Sequence, residues 1–231
     1  FIHRVDPDII DMQEVLHHQL EVLKTGLPEY TVVGVGREDG KTAGEYAPIF
    51  FKQAKYTLLD QNTFWLCEKP DSVGMVGWDA ALTRIATWVK LQDKKTGQIL
   101  MVVNTHFDHI GTEARRNSAL LIIEKIKEIV GTSPAILTGD FNVSEDWDAY
   151  KTITNNEFIL KDAHKVAGKR TGVDFTYHNF GKIPAEKCEK IDFIFVTPQI
   201  RVISSYIPFS QLNDTLFLSD HNPEIVELEI K

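Results

Sequence analysis

A mixed-sheet α/β sandwich is the fold the sequence predicts, and two features carry that expectation. Strand-sized apolar runs greatly outnumber helical patterns, and several of the runs are joined by hairpin-length turns. A wound parallel sheet would instead alternate strands with crossover helices. The 231 residues, 43% hydrophobic and 25% charged, suffice for one large core. No repeat, low-complexity tract or long linker divides them, so residues 1–231 read as a single domain.

Each element has its own signal. An extended apolar run, Asp8-Ile9-Ile10-Asp11-Met12, ends at the polar pair Gln13-Glu14. A short helix is expected from Leu16 to Leu23, stopped by Gly26 and Pro28. Strands are expected over Tyr30–Val35, Ala47–Lys52 and Tyr56–Leu59. The next strand, Arg84–Leu91, joins Ile99–Val103 through the turn Asp93-Lys94-Lys95-Thr96-Gly97, which predicts a hairpin. The clearest helix is Glu113–Val130. There Ala119, Ile122, Ile123, Ile126 and Val130 recur at helical spacing, and Gly131 follows as the cap. Further strands are predicted over Ala135–Thr138, Ile191–Thr197, Arg201–Ile207 and Ile225–Ile230.

Bulk properties narrow the function. A formal charge of −8 opposes duplex nucleic acid, because a polyanion is attracted only to a basic surface or one carrying bound cations. No apolar run approaches the ~20 residues a membrane-spanning helix needs. The two cysteines, Cys67 and Cys188, form neither a metal-type pair nor a disulfide framework. No signal peptide is visible, and cytoplasmic and exported locations both fit the composition.

The chemistry concentrates in polar clusters at the ends of predicted strands, where a rigid sheet presents side chains to a shared crevice. These clusters are Gln13-Glu14, Asn104-Thr105-His106-Phe107-Asp108-His109, Gly139-Asp140-Phe141-Asn142, Asp192 within Lys190-Ile191-Asp192-Phe193, and Ser219-Asp220-His221-Asn222-Pro223. Each alone has a structural explanation: Gly139-Asp140 is a common turn pair, and His106 and His109 suit turn capping. Asp192 is harder to dismiss, since an ionised carboxylate inside an apolar strand needs a partner. Their joint occurrence in this order argues for a site.

In that order, the Gln-Glu pair, Asn104-Thr105-His106, GDFN, Lys190-Ile191-Asp192-Phe193 and Ser219-Asp220-His221 resemble the successive motifs of the endonuclease/exonuclease/phosphatase superfamily. The resemblance runs from Pro7 to Ile230. The stretches Tyr46–Phe51 and Gly77–Arg84 are similar to a compact bacterial branch. The resemblance implies a four-layer DNase I-like sandwich, with two mixed sheets packed face to face and helices outside. It also implies an upstream strand carrying an asparagine near the metal, and this chain is expected to lack that strand.

Phosphate ester hydrolysis needs an activated water, neutralised phosphoryl oxygens and a stabilised leaving oxygen. The resemblance implies Glu14 as principal metal ligand. A carboxylate-rich, cysteine-free site suits Mg²⁺ or Mn²⁺. Asp140 is assigned to hold or deprotonate the water, and Asn142 to orient it or the phosphate. His221, oriented by Asp192, is assigned as phosphate contact or general base. His106 is expected to donate to a non-bridging oxygen, and Asp220 to belong to a second metal position. Arg84, Asn104 and Tyr177 are read as substrate contacts, Arg84 as a phosphate clamp. The substrate is expected to be a phosphorylated small molecule or single-stranded nucleic acid, as a diester or a monoester.

Two other readings compete. A dinuclear metallophosphatase would place an aspartate two residues after Phe141, where Val143 stands. A non-catalytic binding protein on the same fold would keep the architecture without turnover.

Overall fold

The computed structural model describes all residues except 132, 156–159, 210 and 214–215. Its helices are α1 (Ile2–Val5), α2 (His17–Gly26), α3 (Thr112–Val130), α4 (Asp148–Thr154) and α5 (Ala163–Val166). The first half of the chain supplies strands β1 (Ile9–Asp11), β2 (Tyr30–Val33), β3 (Ile49–Lys52), β4 (Tyr56–Trp65), β5 (Ile85–Asp93) and β6 (Ile99–His106). The second half supplies β7 (Ala135–Asp140), β8 (Lys161–Asp162), β9 (Lys169–Gly172), β10 (Asp192–Val196), β11 (Ile200–Ile207), β12 (Gln211–Asn213), β13 (Leu216–Phe217) and β14 (Ile225–Ile230).

A six-stranded mixed sheet ordered β4-β5-β6-β7-β10-β8 forms the centre. Its β6–β7 pair is parallel, and its other pairs are antiparallel. Alternation with period two divides its residues between two cores. Ala86, Trp88, Met101, Val103, Leu137 and Phe195 pack beneath the α3 face of Ala119, Ile122, Ile123 and Ile126. Val89, Leu91, Val102, Ile136 and Val196 meet Ile49 and Phe51 of β3 and Val202 of β11 from the opposite side.

That second layer comprises two three-stranded sheets, β1-β3-β2 and β14-β11-β9. On the far face of β3, Phe50 packs with Leu20 of α2 and with Val15 and Tyr46. Helix, sheet, sheet and helix follow in order, which is the expected four-layer sandwich. Burying each large aliphatic side chain of these interfaces contributes about 1.5–3 kcal/mol before chain entropy is counted.

Helix α3 begins where Asp79 reaches it from the preceding loop. One carboxylate oxygen accepts the Ala114 N–H at 2.7 Å and the other the Glu113 N–H at 3.2 Å. The predicted hairpin turn closes as Asp93 Oδ1 accepts the N–H groups of Lys95 and Thr96, each at 2.8 Å. Strand β4 runs past its predicted end at Leu59 to Trp65, because pairing with β5 continues through a bulge between Leu58 and Asp60. The turns α1, α4 and α5 carry too little apolar periodicity to be seen in the sequence. Among the described residues no helix is long and apolar enough to cross a membrane.

Candidate active site

The central sheet places three distant residues on one rung. His106 stands opposite Asp140 across the β6–β7 pair, and Asp192 opposite Asp140 across the β7–β10 pair. By alternation they share the face of Val102, Ile136 and Val196, at the end of the sheet where β6 and β7 stop and β10 begins. Gly139 makes the close approach possible: a β-carbon there would lie 2.3 Å from the Thr105 carbonyl oxygen on the neighbouring strand.

His221 closes on this rung from the loop before β14. Its Nδ1 is 2.7 Å from Asp192 Oδ2, and its Nε2 is 4.0 Å from Asp140 Oδ2. One short segment positions both members of the pair. Thr176 Oγ1 accepts the N–H groups of Ile191 and Asp192, each at 3.1 Å, and the Thr176 carbonyl accepts the Asn222 N–H at 2.7 Å. Asn142 has φ +49, a left-handed conformation uncommon outside glycine. Its N–H donates to Asp140 Oδ1 at 2.9 Å, and its side-chain amide reaches Phe107 O at 3.0 Å and His106 Nε2 at 3.1 Å.

A second group forms around Glu14, also left-handed at φ +60. The bridge between Val15 and Tyr46 sets Glu14 beside Glu45. One potential ligand atom from each of Glu14, Glu45 and His106 lies within 4.8 Å of the others, and the same holds for Asp140, Asp192 and His221. An open groove of about 470 Å³ adjoins Glu14, lined by Gln13, His18, Gln19, Val22 and Ser219 among others.

The electrostatics are those of a site short of positive charge. Burial and the neighbouring Asp192 carboxylate push Asp140 up to about 8. Burial, then Glu45 and Asp220, raise Glu14. Burial pulls His221 down, but its hydrogen bond to Asp192 and the charges of Asp192, Asp140 and Asp220 outweigh that and raise it to about 9. His106 goes the other way: burial and the cations Arg84 and Arg37 hold it well below the usual imidazole range, so it is neutral at pH 7. The residues fit a hard divalent cation, because the donors are carboxylates and imidazole, and added positive charge would relieve the strain on Glu14 and Asp140.

Of the residues expected from sequence, Glu14, His106, Asp140, Asn142, Asp192 and His221 are brought together. Asp220 lies outside both ligand groups among the described residues, although its charge acts on Glu14 and His221. Tyr177 pairs with His221 through a β-bridge, and their ring centroids are 4.9 Å apart, so it braces the imidazole. Asn104 is fully buried. Its amide donates to the carbonyls of Met12 at 2.7 Å and Pro48 at 3.0 Å, and its oxygen accepts from Gln13 Nε2 at 2.6 Å. Asn104 therefore ties the central sheet to the segment that carries Glu14. Arg84 is buried beside Asp108 and His109.

Sequence reasoning missed Glu45 and Arg37. Both lie in a loop whose Gly, Asp and Lys content resembles an ordinary surface turn, and only Glu45 adjoins the Tyr46-Ala47-Pro48 stretch.

Four layers with an acid–imidazole cluster at the strand ends define a DNase I-like sandwich protein. The chain belongs to the Endonuclease/Exonuclease/phosphatase family, whose sequence model matches residues 1–221. A structure of an endonuclease/exonuclease/phosphatase from Bacteroides vulgatus is 63% identical and covers 100% of this chain and 88% of its own, with a TM-score of 0.97. The Bacteroides thetaiotaomicron mannosyl-6-phosphatase is 37% identical, with 99% and 88% covered and a TM-score of 0.92. A protein of Acanthamoeba polyphaga mimivirus is 28% identical over 242 residues, which is 99% of this chain and 88% of its own length.

Proposed function

We propose that this protein is a divalent-metal-dependent phosphoesterase that hydrolyses a P–O bond by attack of an activated water. The observation that carries the reading is the rung of His106, Asp140 and Asp192 with His221 closing on it. Glu14 and Glu45 would hold the cation, Mg²⁺ or Mn²⁺. When bound, the ion supplies neutralisation of the phosphoryl and leaving oxygens.

The chain's own groups divide the remaining work. Asp140, in its ionised form and with Oδ2 facing His221 Nε2, takes a proton from the attacking water. The Asn142 N–H holds its other oxygen in place. His221, kept cationic by Asp192, donates through Nε2 to a phosphoryl oxygen. Neutral His106 serves a second oxygen. The water oxygen bonds to phosphorus as the alcohol oxygen leaves with its electron pair.

A small substrate suits the groove beside Glu14, whose volume falls within the usual range for ligand sites. The name of the Bacteroides thetaiotaomicron relative supports a phosphorylated sugar or similar small molecule. Single-stranded nucleic acid is the other substrate class consistent with the family. Assay of p-nitrophenyl phosphate, bis(p-nitrophenyl) phosphate, sugar and inositol phosphates and single-stranded RNA, with Mg²⁺, Mn²⁺ or EDTA, tests the reading. Hydrolysis that needs metal and is lost in His221→Ala is expected; silence across the panel in both metals would favour a binding role.

A further inference from the structure

Arg84 is only 4% exposed, and its buried Nη1 has no hydrogen-bond partner among the described residues. The adjacent carboxylate does not serve it well. Asp108 Oδ1 accepts the N–H groups of Ile110 and Gly111, Oδ2 accepts that of Leu82, and the nearest approach to Arg84 is 3.5 Å, at Nε. Nη2 lies 3.1 Å from His109 Nδ1. A buried donor left unpaired destabilises the fold, the more so when it is charged, and a bound anion would recover that loss.

Arg84 is one of the residues lining a notch of about 10 Å³, with Arg37, Glu45, Tyr46 and His106. Arg37, 8% exposed, is anchored by Nη1 on Glu45 Oε2 at 2.5 Å. Two buried arginines thus border the ligand group of Glu14, Glu45 and His106. A notch of this size holds about one water or one oxygen atom, and does not admit an esterified carbon chain.

We propose that Arg84, with Arg37 beside it, is a clamp for a terminal phosphoryl group, making phosphomonoesters the substrate class of this site. The proposal rests on the phosphoesterase reading above. A terminal phosphate carries close to two negative charges near neutrality and three equivalent non-bridging oxygens. One oxygen enters the notch, one meets His106, and a third remains for the cation. A diester has only two such oxygens and must place its second ester group where the third would stand. The forked guanidinium suits phosphate better than a point charge does.

The test pairs binding with turnover. Isothermal titration of inorganic phosphate into EDTA-treated wild-type protein is expected to show saturable binding, abolished in Arg84→Met and weakened in Arg37→Met. With metal, Arg84→Met is expected to lose ~100-fold in kcat/KM on p-nitrophenyl phosphate and under ~10-fold on bis(p-nitrophenyl) phosphate. If Arg84→Met does not fold, as thermal denaturation will show, Arg84→Lys and Arg37→Met carry the same comparison. Absent or undiminished phosphate binding, or equal losses on the two esters, would overturn the proposal. Arg84-dependent phosphate binding in a protein that hydrolyses neither ester would support the clamp and remove the phosphoesterase reading instead.

Discussion

Asp192 and His221 are directly hydrogen-bonded, with Oδ2 2.7 Å from Nδ1, and the consequence is an imidazole that stays charged well above neutrality. In the proposed mechanism the rate falls on the alkaline side as His221 loses its proton, near pH 9. Asp192→Asn removes the charge that raises it, so this limb should move toward the ordinary histidine range. A pH–rate profile of the variant checks this; an unmoved limb would assign it to another group. The same linkage acts on stability. A histidine raised in the folded state contributes stability that is complete below its unfolded value and is lost as pH rises through about 9.

Glu45 and Glu14 share one ligand group with His106. Removing one carboxylate charge from such a set should weaken divalent binding by at least ~10-fold. Titration of Mn²⁺ into Glu45→Gln, followed by electron paramagnetic resonance, measures that loss. Wild-type affinity in the variant would take Glu45 out of the ligand set.

The rung of His106 and Asp140 depends on β6 and β7 lying close at Gly139, where a β-carbon would sit 2.3 Å from Thr105 O. Gly139→Ala should therefore cost about 1–3 kcal/mol in urea denaturation and lower activity by displacing Asp140. A variant as stable and active as wild type would show that the strands adjust freely.

Asp11 has been left in an unfavourable setting. Its Oδ2 accepts from Thr138 Oγ1 at 2.9 Å, while its buried Oδ1 has no partner among the described residues. Burial raises it to about 7, against the hydrogen bond from Thr138, which lowers it. A raised carboxyl favours the folded state fully below its unfolded value, and that contribution is lost as pH rises through about 7. Asp11→Asn keeps the acceptor without the charge and should gain on the order of 1–3 kcal/mol at pH 8, with little change at pH 4. Equal effects at both pH values would contradict this account.

Much of this architecture was legible because it repeats simple periods. The α3 stripe from Ala119 to Val130 points to one face, and the short apolar runs around Val102 and Ile136 are those of strands buried on both faces. The candidate site was legible in part, because Glu14, His106, Asp140, Asp192 and His221 fall at strand ends. The roles of Asn104 and Tyr177 were not. Whether an amide meets substrate or two backbone carbonyls depends on what packs across from it, and Met12 and Pro48 are distant in sequence. Glu45 was hidden for the same reason: its place beside Glu14 is set by the Val15–Tyr46 bridge, which no local pattern encodes.

The central claim is that these residues form one metal-dependent hydrolytic centre with Asp140 as the proton acceptor. The most direct measurement is the initial rate on p-nitrophenyl phosphate in wild type and Asp140→Asn, each with Mg²⁺, with Mn²⁺ and with EDTA. The account predicts wild-type turnover that vanishes in EDTA and falls by ~10²–10⁴-fold in the variant. Turnover that persists in EDTA, or an Asp140→Asn rate equal to wild type, would contradict it.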